Sequence, residues 1–211
     1  MKILTQKQLD EKIKKRNDVF KKATTSQKRV LIAKDVIDQI LAKRFNPKRG
    51  FWVRFRNERK LEDVVESSLQ EKFLDNTIPS CDCCALGGLM MSCTLYNNNE
   101  KVGDVIASAD DTAGILPFDF KSNQDFDIGF NLTDRRKGFD NGFGKIFSKN
   151  QLKLIEMSYE KGRGWFDSDR VYIDSELVAK AIRFGRQHRS NNSRLIAIMK
   201  NIVKNNGEFI P

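Results

Sequence analysis

The stretch Ile78 to Tyr96, IPSCDCCALGGLMMSCTLY, holds all four cysteines of the chain and its longest nearly apolar run. A segment so poor in polar side chains has to be covered on every side, so the other elements must pack around it. Pro79 and Ser80 read as a helix entry, with Ser80 as N-cap and Asp82 in the first turn facing the positive end of the dipole. The spacing predicts a helix from about Cys81 to Leu95, with Cys81, Cys84, Ala85 and Gly88 sharing one face.

Two readings of the cysteines follow. As a C-x-x-C at a helix start, Cys81 and Cys84 would have thiols acidified by the dipole. As free cysteines in an apolar run, they would pack as small hydrophobes. A zinc site would need a second ligand pair, and the one histidine, His188, lies far along the chain in a polar segment. No metal and no cofactor is therefore expected. Four cysteines crowded into thirteen positions make a poor disulfide framework, which points to a reducing cytoplasm.

A chain of 211 residues can bury a full core and reads as one domain, 1–211, with 1–23 as a helical arm. The segment MKILTQKQLDEKIKKR lacks the apolar core of a signal peptide, and no apolar run is long enough to span a membrane. The formal net charge is +10. It divides unevenly: residues 1–72 carry +10, residues 73–142 carry −6 and residues 143–211 carry +6. A basic front and tail around an acidic middle can form one positive face, which attracts phosphate backbones or an acidic protein. Lysines that merely keep the protein in solution give the same totals, and the acidic middle could also complement the basic ends in a homo-oligomer.

Leu4 to Ala23 reads as a polar helix with Leu9, Ile13 and Phe20 on its apolar stripe. Thr24 to Ser26 cap a second helix, Gln27 to Phe45, which stops before Asn46 and Pro47. Pro47 to Gly50 is a turn, and Phe51 to Arg56 alternates as a strand. Trp52, Arg54 and Arg56 share one side of that strand. Together with Lys48 and Arg49 in the turn they form the candidate nucleic-acid or partner site, since arginines interleaved with an aromatic can pair phosphates and stack on bases. A helix from about Leu61 to Leu74 follows. Beyond the cysteine helix, Thr94 to Tyr96 and Lys101 to Ala107 could form a hairpin.

Asp110, Asp111, Asp119, Asp125 and Asp127 then cluster among Gly114, Pro117 and Gly129, with Asp104 just upstream. The calcium-loop spelling fails because the glycine comes one place late and no glutamate closes the loop. Asp119-Phe120-Lys121 spells the D-x-K element of a metal-dependent nuclease, and an acidic surface loop is the plainer reading. The glycines at 138, 142 and 144 match no phosphate-binding loop, and no Ser/His/Asp set is available.

The last third reads as three helices: from Ser148 to about Lys161, from Asp174 or Ser175 to about Gln187, and from Asn191–Ser193 to Asn206-Gly207. In the last, Leu195, Ile198, Met199, Ile202 and Val203 form the buried stripe, and Arg194, Lys200 and Lys204 the wet one. The fold class expected is α+β, predominantly helical: a central apolar helix, surrounding helices and a small antiparallel sheet.

Three sequence segments carry a resemblance: Cys81-x-x-Cys84-Ala85-Leu86-Gly87; Phe147-Ser148-x-x-Gln151-Leu152-x-Leu154-Ile155-Glu156; and Arg194-Leu195-x-x-Ile198-Met199-x-Asn201-Ile202 with Gly207-x-Phe209-x-Pro211. Together they resemble an uncharacterised family of short proteins from phage, prophage and bacterial genomes, from which Cys83 beside Cys84 departs. The resemblance implies no catalytic residue. It implies the setting of phage-type accessory genes, which act on nucleic acid or on host defence machinery. The function expected is thus a non-enzymatic protein of the host cytoplasm that binds nucleic acid or a host nucleoprotein or defence complex. A metal-dependent nuclease and a thiol-bearing structural or interaction protein are the alternatives.

Overall fold

The computed structural model describes residues 5–49, 53–55, 69–74, 80–97, 146–162 and 173–211. Helix α1 (Gln6–Lys22) starts at Thr5, whose hydroxyl accepts the Gln8 amide while the Gln8 side chain accepts the Thr5 amide. Thr24 and Gln27 repeat this capping box at the start of α2 (Thr25–Leu41). Such reciprocal bonds satisfy donors that every helix start leaves orphaned. Arg16 ties α1 inward, pairing with Asp35 at 3.0 Å and lying 3.9 Å over the Tyr96 ring, which stacks on Phe20.

Helix α2 ends earlier than its sequence spacing indicated. After Ala42 and Lys43, the latter at φ 58°, the chain enters strand β1 (Phe45–Pro47). Strand β2 (Val53–Phe55), helix α3 (Leu69–Leu74) and strand β3 (Cys81–Cys83) follow, and the sheet order is β1-β3-β2. Strand β1 runs parallel to β3, Phe45 opposite Cys81, while β2 runs antiparallel, Val53 opposite Cys83. The sheet is therefore mixed rather than antiparallel. Pro47, which has no N–H to donate, is accommodated because β1 lies at the sheet edge.

Cys81–Cys83 is the central strand and not the first turn of a helix, so Ser80 caps nothing. The backbone of β3 is held from both sides, Cys81 N donating to Arg44 O and Lys48 N to Cys83 O, both at 2.8 Å. Helix α4 (Ala85–Asn97) begins after it and includes Thr94 to Tyr96, which excludes the expected hairpin. Cys84 caps α4 instead: its carbonyl accepts Gly88 N and its Sγ accepts Gly87 N at 3.4 Å. Every residue from Ala85 to Cys93 is buried, as an all-round apolar helix requires.

Three further helices follow: α5 (Lys149–Glu160) and α6 (Ser175–Arg186) have the expected caps, Ser148 and Asp174, and α7 (Asn191–Lys204) is capped by Ser190, which the sequence reading did not single out. Helix α4 touches α1, α2, α3, α5 and all three strands, while α7 lies on α2 and α5 and α6 lies on α5. Their inward side chains, among them Ile32, Val36, Leu86, Leu89, Ile155, Leu195, Ile198 and Ile202, join in a single buried cluster. The coarse expectation of helices around a central apolar helix with a small sheet describes this arrangement. Phe51, the helix portion 61–68, the strand at 101–107, the aspartates from Asp104 to Asp127, Lys121, and the glycines at 138, 142 and 144 lie outside the described residues.

Two glycines permit close approach. A Cβ on Gly185 would fall 1.7 Å from the Ser158 carbonyl oxygen, so α6 crosses α5 backbone against backbone. Gly207 stands at φ +96° and a Cβ there would fall 2.6 Å from Ser26 O, which brings the segment after α7 against the start of α2. That segment is clamped by side-chain amides. Gln151 Oε1 accepts Phe209 N at 2.6 Å and its Nε2 donates to Phe209 O, while Asn201 accepts Ile210 N and donates to Ile210 O. Arg29 donates to Ile146 O and pairs with Glu208.

Gly185→Ala should lower stability by at least about 3 kcal/mol, the upper part of the overpacking range, because the obstacle is backbone. Gly88→Ala is its control: a Cβ at Gly88 meets only ordinary contacts, the nearest Cys83 Sγ at 3.6 Å, and helix propensity favours alanine by up to about 1 kcal/mol. Thermal melts of both variants should move in opposite directions, and equal shifts would contradict the close crossing.

Candidate nucleic-acid interface

Of the five residues nominated from the sequence, Lys48 and Arg49 sit just past the end of β1. Asp82, pointing away from the thiols of its strand, is buried and accepts Asn46 Nδ2 at 2.6 Å, with Lys48 Nζ at 3.6 Å. Arg54 lies opposite Asp82 in the β2–β3 pairing. Trp52 and Arg56 lie outside the described residues. Arg49 turns toward the end of α5, donating through Nη2 to the Glu160 carbonyl at 2.7 Å and through Nε to the Glu160 carboxylate at 3.3 Å. The turn and α5 are thereby joined, and the arginine is partly committed to the fold.

The end of α5 is where several cations gather. Lys161 takes the left-handed conformation at φ 59° and Gly162 follows at φ 87°, both amides folding back to Met157 O. Arg194, which the sequence placed on a wet face, is 1% exposed and the largest fully buried side chain among the described residues. Its Nε donates to Gly185 O and its Nη2 to His188 O, both at 2.9 Å, and its Nη1 reaches Asn191 Oδ1 and Tyr159 O. The spacing that put Arg194 outside was correct for a cylinder in water. What it could not contain was that two helix ends, with unmet carbonyls, abut that face.

The charge crowding has electrostatic consequences. The Lys161 pKa is pulled down, chiefly by Arg194, with smaller contributions from desolvation, Arg49 and Arg186. Burial, then Arg194, lowers His188 below the usual histidine value. It packs edge-on to Phe184.

The basic surface continues along α6. From Lys180 to Asn205 the chain carries Lys180, Arg183, Arg186, Arg189, Arg194, Lys200 and Lys204 and neither Asp nor Glu. All but Arg194 are exposed. Lys180 pairs with Glu176 one turn earlier, whereas Arg183, Arg186 and Arg189 make no ion pair among the described residues. Sequence reasoning passed over these residues because they are scattered between apolar positions; the acid-free run was the signal available.

The thiols support the buried reading. All four cysteines are free and buried. A hydrogen bond with Cys81, followed by desolvation, raises the Cys83 pKa well above its ordinary value. Desolvation pushes Cys84 up to about 12 against the opposing Gly87 amide, and pushes Cys93 to about 12 against Lys28. Cys84 does not have the acidified thiol of a helix start, because its apolar surroundings outweigh its cap position; Cys81 lies in strand β3 and not at a helix start. Among the described residues no group of three His, Cys, Asp or Glu side chains is placed to hold a metal ion.

The cysteines should therefore react slowly with an alkylating reagent at neutral pH and quickly once the chain is unfolded; rapid labelling of the native protein would contradict the buried placement. Linkage extends this to pH. The native state keeps thiol protons that the unfolded chain, with ordinary values near 9.0, gives up. Stability against urea should thus show no thiol contribution to its slope below about pH 8 and fall as pH rises from about 9 toward about 12, with a Cys93→Ser variant showing a shallower fall. No family model, curated protein or solved structure matches this chain.

Proposed function

We propose that this protein is a non-enzymatic nucleic-acid-binding protein, an accessory factor of the phage-type kind, and that its contact surface is the basic rim around the ends of α5 and α6. The observation that carries this reading is the set of exposed arginines Arg183, Arg186 and Arg189, which make no ion pair among the described residues, in a stretch without acids, continued by Lys161 and the Lys48–Arg49 turn. Arginines whose charge served only folding would be paired or capping carbonyls, as Arg194 and Arg49 are. Guanidinium forks left toward solvent on a rigid helix suit phosphate oxygens, which accept two parallel N–H bonds. The nominated Lys48 and Arg49 join the same rim.

Phosphate contact of this type releases counterions, at about 0.9 in the slope of log affinity against log salt for each phosphate neutralised on duplex DNA. Binding of a short labelled duplex, followed by fluorescence anisotropy, should weaken steeply between about 50 and 200 mM salt. Arg183→Glu combined with Arg189→Glu should lower affinity by at least about tenfold and flatten that slope by about 2. Affinity indifferent both to salt and to the charge reversal would remove the reading. Recovery from lysate of an acidic protein that persists after nuclease treatment, with no duplex binding, would replace nucleic acid by a protein partner on the same surface.

A further inference from the structure

The last turn of α5 collects cations from four separate parts of the chain. Arg49 arrives from the turn after β1, fixed on the Glu160 carbonyl and carboxylate. Arg194 arrives from α7, its guanidinium spent on Gly185 O, Tyr159 O, Asn191 Oδ1 and His188 O. Arg186 is brought there because Gly185, its neighbour, lies against the Ser158 carbonyl. Lys161 belongs to the turn itself. Among the described residues, Glu160 at this turn is already held by Arg49, and Glu156 is buried one turn earlier. Two guanidinium groups are thus consumed by the fold, while Lys161 and Arg186 make no ion pair among the described residues.

We propose that this corner is a phosphate-binding subsite, in which Lys161 and Arg186 donate to the phosphate oxygens and Arg49 and Arg194 supply a fixed positive background. The phosphate is one of the backbone of a bound nucleic acid, so the subsite rests on the binding function proposed above. Three features of the corner support it. Cations held this close repel one another, and an anion placed among them turns that repulsion into attraction. The lowered Lys161 pKa records the repulsion. The left-handed conformations of Lys161 and Gly162 hold the lysine backbone in place before any ligand arrives, so little ordering is left to occur on binding.

The test uses Lys161→Asn and Arg186→Gln, singly and together, in the full chain. Asparagine is chosen because it tolerates the left-handed backbone, and Lys161→Gly serves as a second variant for the same position. In the first arm, sodium phosphate replaces sodium chloride at constant ionic strength. The wild-type melting temperature should rise with phosphate, and that of the double variant should not. In the second arm, a short duplex is titrated at several salt concentrations, and each single variant should flatten the salt slope by about 0.9. Unchanged duplex affinity and slope in both variants at position 161 and in Arg186→Gln, with binding still weakened by the Arg183 and Arg189 reversals, would overturn the subsite and leave the binding function standing. Phosphate protection that depends on Lys161 without any duplex binding would assign the corner to free phosphate and overturn the nucleic-acid source. Phosphate that stabilises wild type and variants equally, with unaltered duplex binding, would overturn the site altogether.

Discussion

A buried guanidinium organises the C-terminal half of the described structure. Arg194 carries its charge almost wholly out of water, a position that costs several kcal/mol unless every donor is used. Four acceptors meet most of its five N–H groups: Asn191 Oδ1 and three backbone carbonyls at the ends of two helices, those of Tyr159 on α5, Gly185 in the last turn of α6 and His188 just past it. Those carbonyls are the groups a helix end leaves without partners and the negative pole of its dipole. Cation and carbonyls therefore solve each other's problem. The contact also dictates where α6 can lie, since its backbone must come within reach of the same side chain, and only a glycine at 185 allows it to do so against Ser158.

Residues of α5, α7 and the C-terminal segment acquire a physical meaning in this light. Gln151, Asn201, Gly207 and Phe209 are the parts of one clamp, in which two side-chain amides pair with the backbone of Phe209 and Ile210 as a strand neighbour would. Arg194, Leu195, Ile198, Met199 and Ile202 hold α7 in the core. Residues with these jobs specify an architecture. They leave the chemistry of the surface free to differ, which is why they carry no assignment of function.

What local physics determines was readable from the chain. Thr24, Ser148 and Asp174 cap the helices that follow them, and the apolar spacing of α2, α5 and α7 matches their buried faces, because caps and amphipathic stripes act over a few residues. What depends on distant partners was not. Cys81–Cys83 has the composition of a helix start and becomes a strand because β1 and β2 supply its backbone with partners from both sides. Phe45–Pro47 looks like a helix end followed by a turn, and a sheet edge accepts it as a strand. Of the nominated residues, Lys48 and Arg49 lie toward the end of α5, close to Lys161 and Arg186, which sequence reading did not nominate, since no sequence proximity links positions 49, 161 and 186.

That last juxtaposition bears on how a protein of this charge can stay folded. Placing Arg49, Lys161, Arg186 and Arg194 about one turn sets like charges against each other, and the fold offsets part of this with helix-end carbonyls and with Glu160. Carbonyl dipoles can hold a guanidinium in place, yet they carry no net charge, so the excess remains and is expressed at the surface through Lys161 and Arg186. The acid-free run along α6 then adds to the same field instead of cancelling it. Stability and binding are linked through one source: the inward arginines that close the helix ends also produce the potential that a polyanion would neutralise.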